Sequence, residues 1–361
     1  MKTVNDLIQN PIAHYPKATV ACFDPTTGEL PRRQLDEGRN MQFLERLVAN
    51  GVPAVLIAAS SGNAHLRTVD ELEQWFRSAA MARFGNTMKT ALLRPEDGMA
   101  ANGHLIELLK ALGYLVIFVR PGTDLPPDAS VEDVYENIRP IVEKSAIHGL
   151  AVGLYSIPDV SGLPLLPESA AMLVAGPGGK QIVAIKVTEA DYETSTLSFL
   201  EHPALKHLKI IQGWDPHLVR ALPDGHKYDG KGRQRCGITS GPMAFAIYQY
   251  LHILQSADQR NWDEVTRSQA ALTALFQSMQ DDPGKFADLQ RAKYILGLGH
   301  PITGTVSEEQ VARFFSALEA LPRMEDRNRL VRSLDIMGDG PYHERLQDLM
   351  AEWVSDQDNR H

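Results

Sequence analysis

Short apolar runs rich in β-branched residues alternate with longer amphipathic segments through residue 240, and this alternation constrains the fold more than any other feature. Regular alternation of strands and helices produces a parallel sheet, and eight strand units predict the α/β class with a (β/α)8 TIM barrel. The eight predicted strands are ATVACF (18–23), AVLIAAS (54–60), KTALLR (89–94), YLVIFV (114–119), LAVGLYSI (150–157), QIVAIKVT (181–188), LKIIQG (208–213) and RCGITS (235–240).

The alternative α/β arrangement is a doubly wound open sheet with a dinucleotide site. That site requires a G-x-G-x-x-G turn between a strand and a helix, and no predicted strand is followed by one. The glycine cluster AGPGGKQ (175–181) precedes a strand instead of opening a helix, so we interpret it as a turn.

Helical patterns follow one another without intervening strands after residue 241. The sequence therefore predicts a catalytic barrel domain over residues 1–245 and a C-terminal helical region over residues 246–361. We expect the helical region to pack on the barrel or to take part in oligomer contacts.

Composition excludes several classes of function. The chain has 361 residues and a formal net charge of −9, so no basic field would attract nucleic acid or an anionic membrane. The two cysteines, Cys22 and Cys236, are too few and too distant for a disulfide framework. Without a leader-like segment or a membrane-length apolar run, the sequence predicts a cytoplasmic protein. The histidines lack metal-ligand spacing, so no metal site is predicted.

One lysine stands out because it interrupts a strand-like run. Alternate strand residues face opposite sides, so Ala184 and Lys186 share a face in IVAIKVT (182–188), and Gly153 and Tyr155 share a face in the preceding strand. Small residues before Tyr155 and Lys186 predict room for a ligand at the carboxyl end of the barrel. The competing interpretation is that Lys186 ends its strand and extends to solvent.

A lysine inside a barrel supports a specific chemistry. Desolvation lowers its pKa, and the resulting free amine can attack a carbonyl and form a Schiff base. The iminium accepts the electrons of an adjacent bond that breaks, while a tyrosine such as Tyr155 shuttles the proton.

Three ordered motifs resemble the dihydrodipicolinate synthase and N-acetylneuraminate lyase family of Schiff-base aldolases, over roughly residues 15–300. Ala59-Ser60-Ser61-Gly62-Asn63 is similar to the family's G-[ST]-[ST]-G-E element, LYSIPDVSG (154–162) to its Y-N-x-P stretch and IVAIKVT to its G-[IV]-K strand. The resemblance implies that Lys186 forms the Schiff base with pyruvate or another 2-keto acid and that Tyr155 relays protons. It also implies that Ser60 and Ser61 bind the keto acid's carboxylate.

Departures from the family pattern bear on the substrate. Synthases carry an arginine where this chain has Val160, so the resemblance is to the lyase and sugar-acid aldolase branch. There, positions matching Thr188, Asp215 and Ser240 contact the hydroxylated part of the substrate. All three are polar here, which suits a hydroxyl-bearing substrate. For Asp215, the N-cap of a helix starting near Pro216 is an equal alternative.

Two arginines occupy strand ends that differ from the family pattern. Arg94 lies in KTALLRPEDG, and Arg120 lies in FVRPGTD, where no tyrosine follows Pro121 to complete a relay. Either arginine is a candidate for binding a substrate carboxylate, and a surface salt bridge with Glu96, Asp97 or Asp124 is the alternative. Asn63 replaces the family's glutamate and Ser156 its asparagine.

Together these features predict a cofactor-free class I lyase or aldolase that cleaves or forms a C–C bond next to a small-molecule 2-keto acid. The alternatives are a keto-sugar-acid dehydratase or decarboxylase that uses the same lysine, and a catalytically silent barrel that binds a keto acid. The resemblance also predicts a homo-oligomer, either a tetramer or a dimer.

Overall fold

The computed structural model of the chain describes residues 3–9, 17–18, 27, 34–229, 234–280, 287–299 and 306–358. The chain divides into two compact units. The first comprises Met1–Thr19 and Pro53–Ser240, and the second comprises Val20–Val52 and Gly241–His361.

All strands of the first unit belong to one parallel sheet. They are hydrogen-bonded in chain order, so each strand neighbours the strands that precede and follow it in the sequence. The strands are β1 (Lys17–Ala18), β2 (Ala54–Ile57), β3 (Met88–Leu93), β4 (Val116–Val119), β5 (Ala151–Ser156), β6 (Ile182–Val187), β7 (Lys209–Gln212) and β8 (Cys236–Ile238).

Helices connect successive strands and continue after the last one. Two long helices of the first unit begin with reciprocal capping boxes, at Thr68 with Glu71 and at Ser130 with Asp133. The helices are α1 (Val4–Gln9), α2 (Glu37–Ala49), α3 (Val69–Ala80), α4 (Gly98–Ala111), α5 (Val131–Ile147), α6 (Pro158–Ser161), α7 (Pro167–Ala175), α8 (Ser198–Glu201), α9 (Leu218–Lys227), α10 (Ile247–Asp258), α11 (Trp262–Gln277), α12 (Ala287–Ile295), α13 (Glu308–Glu319), α14 (Met324–Leu334) and α15 (His343–Asp358).

The predicted (β/α)8 barrel class and the helical C-terminal extension are confirmed. Seven of the predicted strands overlap observed strands closely, whereas the first, at 18–23, lies outside the described residues except for Ala18. Cys22 also lies outside them. The glycine cluster forms a turn that ends in a short 3-10 helix, Gly179–Gln181, as predicted.

The core of the first unit contains the inward faces of its strands. Alternation places Ala151 and Tyr155 of β5 and Ala184 of β6 in one buried apolar cluster, together with Leu7 of α1. A Cβ at Gly153 would lie 2.4 Å from the ring of Phe118. The space beside Gly153 is therefore filled by this ring.

Among the described residues, the regular secondary structure of the second unit consists of helices. Its helices α10, α11 and α14 meet around Glu264, whose carboxylate accepts hydrogen bonds from Arg323, Arg267 and His252. No described helix is long and apolar enough to cross a membrane.

Candidate active site

Lys186 lies near the carboxyl end of β6, and its side chain is buried, with the residue 4% exposed. Its Nζ atom is 3.7 Å from the centroid of the Tyr155 ring. Burial lowers the pKa of Lys186 from its ordinary value of 10.5 to about 7, and the Asp215 carboxylate opposes this change. The ring face also favours the ammonium form, although less strongly than burial disfavours it. A lysine buried to this degree does not extend to solvent.

Tyr155 is the cross-strand neighbour of Lys186, because the two residues are paired in register between β5 and β6. The hydroxyl of Tyr155 lies 3.3 Å from Thr188 Oγ1 and also interacts with the Ser60 side chain. Burial raises the pKa of the phenol above its ordinary value of 10, and the Thr188 hydroxyl partly offsets this rise. Tyr155, Thr188 and Ser60 therefore form a set of hydroxyls beside the amine.

The predicted carboxylate-binding serines occupy a 3-10 helix, Ser60–Gly62, which follows β2. Both serines are buried. The turn is bounded by two residues in the left-handed region, Ala58 at φ 57° and Asn63 at φ 58°. Asparagine tolerates this conformation, whereas alanine adopts it at an energetic cost, so the surrounding fold must stabilise the turn. Ser60 therefore lies at the carboxyl end of the sheet, where it interacts with Tyr155.

The three polar residues expected to contact the hydroxylated part of the substrate also lie after the ends of strands. Ser240 Oγ donates a hydrogen bond to Asp215 Oδ2 at 2.9 Å. Helix α9 begins at Leu218 with His217 as its N-cap residue, so Asp215 does not cap that helix. Thr188 is half-buried and contacts Tyr155. The carboxylate of Asp215 acts electrostatically on Lys186, so the Ser240–Asp215 pair bears on the charge of the amine.

Gly213 lies close to the side chains of Thr188 and Lys186. A Cβ at this position would lie 2.2 Å from Thr188 Oγ1 and 3.2 Å from Lys186 Cε. Such distances are shorter than van der Waals contact, so only glycine fits without moving the two side chains.

The two arginines are buried and paired with acidic side chains. Arg94 binds Asp97 through two nitrogens, at 2.7 and 2.8 Å, and also donates to the carbonyl oxygens of Ala64 and Arg67. Arg120 pairs with Glu96. The salt-bridge alternative is therefore observed for both arginines, but each arginine is buried and its acidic partner is half-buried, so the pairs do not lie on the open surface.

One acidic residue near the site was missed in the sequence. Glu189 follows Thr188 and is half-buried, and the Ser156 side chain acts to lower the pKa of its carboxylate. Burial raises the pKa of Glu189, and the carboxylates of Asp191 and Asp159 add to this effect. The available signal was a glutamate three residues after a strand-end lysine.

Among the described residues, no group of three or more His, Cys, Asp or Glu side chains is arranged to hold a metal ion. His65, in the short 3-10 helix Ala64–Leu66, is half-buried beside the serine turn.

Comparison with known proteins gives related sequences and the same fold, although no protein-family model matches the chain. The 4-hydroxy-tetrahydrodipicolinate synthase of Xylella fastidiosa is 28% identical over 191 residues, which cover 51% of this chain and 58% of the relative. The enzyme of that name from Xanthomonas axonopodis pv. citri is 27% identical over 199 residues, covering 54% of this chain and 61% of the relative. The chain thus spans less than two thirds of the curated relatives it matches.

Solved structures extend the likeness to most of the chain. A dihydrodipicolinate synthase of Bacillus anthracis aligns with a TM-score of 0.67 and 17% identity over 86% of this chain and all 100% of that protein. A dihydrodipicolinic acid synthase family protein from E. coli K12, solved with pyruvate, aligns at 0.66 with 17% identity over 85% and 98%. A 2-keto-3-deoxygluconate aldolase variant of Sulfolobus solfataricus aligns at 0.66 with 16% identity over 90% and 100%. The resemblance predicted from the motifs is confirmed.

Proposed function

We propose that this chain is a class I lyase or aldolase in which Lys186 forms a Schiff base with pyruvate or a related 2-keto acid. The observation that supports this most is a buried lysine with a pKa of about 7, stacked 3.7 Å from the ring of a buried tyrosine. The pyruvate bound in the related E. coli structure supports the choice of 2-keto acid.

The lowered pKa makes the amine available. About half of Lys186 is neutral at pH 7, whereas an ordinary exposed lysine is neutral in fewer than roughly one molecule in a thousand. The neutral amine adds to the ketone carbon of the substrate, and the carbinolamine then loses water to give an iminium. The iminium serves as the electron sink, so the proposal requires no cofactor.

Cleavage then needs one proton to be moved. The Tyr155 oxygen takes the proton from the substrate hydroxyl and releases its own phenol proton to the enamine carbon, which forms as the C–C bond breaks and the bonding electrons move into the iminium. Protonation of the enamine carbon regenerates the pyruvate iminium, and water releases pyruvate from Lys186. Thr188, at 3.3 Å from the phenol oxygen, supplies a second hydroxyl for this transfer.

The carboxylate of the keto acid is assigned to the serine turn. Ser60 and Ser61 are both buried, and Ser60 lies next to Tyr155; hydroxyl groups bind an anion without adding a second amine that would compete for the carbonyl. Placing the carboxylate there would direct the ketone carbon towards Lys186.

The other half of the substrate is assigned to Thr188, Asp215 and Ser240. These groups offer donors and acceptors for hydroxyls, while Arg94 and Arg120 are engaged by Asp97 and Glu96. A hydroxylated aldehyde or sugar acid fits this arrangement better than a substrate that needs a free cation at this end. Dehydration of a keto-sugar acid would use the same iminium, and the products distinguish the two reactions.

Borohydride reduction tests the proposal directly. Incubation with pyruvate and borohydride should leave a stable adduct on the peptide that contains Lys186, identified by mass mapping. The Lys186→Arg variant should give no adduct, and Tyr155→Phe should still give one while turning over a panel of 2-keto-3-deoxy sugar acids far more slowly. If pyruvate and several larger 2-keto acids all fail to label Lys186, the Schiff-base proposal is wrong.

A further inference from the structure

Arg120 lies at the end of β4 in the first unit, and the reaction proposed above assigns it no role. It directly follows β4, one residue beyond the registered pair Val119 and Leu154. This register places Arg120 beside Tyr155 on the neighbouring strand. Phe118 contacts Gly153 on the inward face, so alternation directs Arg120 inward as well. Arg120, Tyr155 and Lys186 therefore form a row across three consecutive strands.

The environment of Arg120 fixes its guanidinium. The residue is 1% exposed, and Nη1 donates to the carbonyl oxygen of Pro121 at 2.7 Å and to Glu96 Oε2 at 3.2 Å. Nη2 donates to Glu96 Oε1. Its Nε–H has no hydrogen-bond partner within the described residues. A buried donor without a partner is costly, so this N–H stays available for a further hydrogen bond.

The pair with Glu96 is asymmetric in its exposure. The Glu96 side chain is 19% exposed, whereas that of Arg120 is 1% exposed. Water therefore screens the negative end of the pair more strongly than the positive end, and a net positive field remains towards the interior of the sheet.

The surroundings of Tyr155 make a nearby cation useful. Burial disfavours loss of the phenol proton, and the positive charge of Arg120 favours it. Tyr155 must lose and regain that proton if it is to act as a relay. The groups that act on or pack against Tyr155 are Arg120 after β4, Lys186 in β6, Thr188 after β6, Ser60 after β2 and Asp159 in α6.

We propose that Arg120 is a positioning residue for the proton relay: its buried guanidinium, anchored by Glu96 beside the strand end that carries Tyr155, stabilises the Tyr155 oxygen electrostatically when the proton leaves. This role rests on the proposed Schiff-base function. No tyrosine follows Pro121 in this chain, and the fixed charge of Arg120 supports the relay instead.

The role predicts a change in the titration of one phenol. A fluorinated tyrosine, more acidic than tyrosine itself, is incorporated at position 155, and its fluorine resonance is followed against pH. In Arg120→Met the midpoint should rise by about one pH unit, with an approximately tenfold lower kcat. In Glu96→Gln the midpoint should fall instead, because the guanidinium loses its counter-charge. Arg120→Lys, which keeps the charge, should stay closer to the parent protein than Arg120→Met.

A matched control removes a similar arginine elsewhere. Arg220 lies over the Tyr192 ring at 4.1 Å and pairs with Glu193, so Arg220→Met should leave the Tyr155 midpoint and kcat unchanged. Borohydride trapping on Lys186 should remain within about twofold in Arg120→Met, because amine attack does not use Tyr155. Increasing the acidity of the fluorinated tyrosine should recover most of the kcat lost in Arg120→Met.

The outcomes separate this role from the proposed function. A Tyr155 midpoint that is the same with arginine or methionine at position 120, or a kcat that more acidic tyrosines do not recover, would overturn the relay role. If the parent protein cannot be trapped with any 2-keto acid, the proposed function fails. The fluorine titration would then still judge whether Arg120 controls the acidity of Tyr155. The Arg120→Lys variant provides the test if Arg120→Met does not fold.

Discussion

Lys186→Met should stabilise the folded protein near neutral pH, because the native lysine is kept in an environment that disfavours its charge. The unfolded chain binds a proton at Lys186 up to pH 10.5, and the folded chain releases it at about pH 7. Each pKa unit corresponds to about 1.4 kcal/mol, so the charge-burial cost approaches about 5 kcal/mol below pH 7. Methionine has a similar length and carries no charge.

The sign follows from proton linkage. Because the folded pKa is the lower one, the unfolded state binds more protons between about pH 7 and 10.5, and wild-type stability from this group rises across that window. The cost is fully present below pH 7 and is gone above 10.5. The advantage of Lys186→Met should therefore be largest in acid, about 4 kcal/mol at pH 7, and should shrink steadily towards pH 10.5.

Urea unfolding of both proteins at a series of pH values measures this difference. Other titrating groups contribute nearly equally to both proteins, so the difference in free energy of unfolding isolates Lys186. Lys89→Met is a useful comparison, because Lys89 donates to the Leu112 carbonyl oxygen and its pKa is lowered without an assigned catalytic role. A stability difference for Lys186→Met that does not vary with pH would refute the lowered pKa, and with it the basis for the reactive amine.

Two further predictions concern the groups around the amine. Gly213→Ala should reduce the rate of Schiff-base trapping about a hundredfold, because the new Cβ would lie 2.2 Å from Thr188 Oγ1 and must displace side chains at the site. The control is Gly103→Ala in α4, where the added Cβ would meet only Lys144 Cε at an ordinary 3.7 Å, so this variant should trap at the parental rate. Equal trapping rates for the two variants would contradict this reasoning. Asp215→Asn removes a charge that raises the pKa of Lys186, so the pH midpoint of trapping should move to lower pH. A midpoint that moves upward would show that Asp215 does not act on Lys186 as a carboxylate.

The sequence determined the strands and the faces of their residues. Strand alternation is a local property with a period of two, so IVAIKVT was enough to place Ala184 and Lys186 on one face of β6. Strand order also followed from the sequence, because short helical crossovers keep successive parallel strands adjacent. Tyr155 and Lys186, which the sequence placed on neighbouring strands, are paired in register between β5 and β6.

Only the tertiary structure decided what surrounds those side chains. Gly153 lies on the face predicted to leave room for a ligand, but Phe118 of the preceding strand, β4, fills the space beside it, since packing between strands is not encoded by alternation in either one. From the sequence, Arg120 was a candidate for binding substrate. In the structure its guanidinium pairs with Glu96, which lies in the segment after β3. The lowered pKa of Lys186 likewise requires burial by many residues that are distant in the sequence. A local pattern fixes the direction of a side chain, whereas its charge state depends on how completely the folded chain removes it from water.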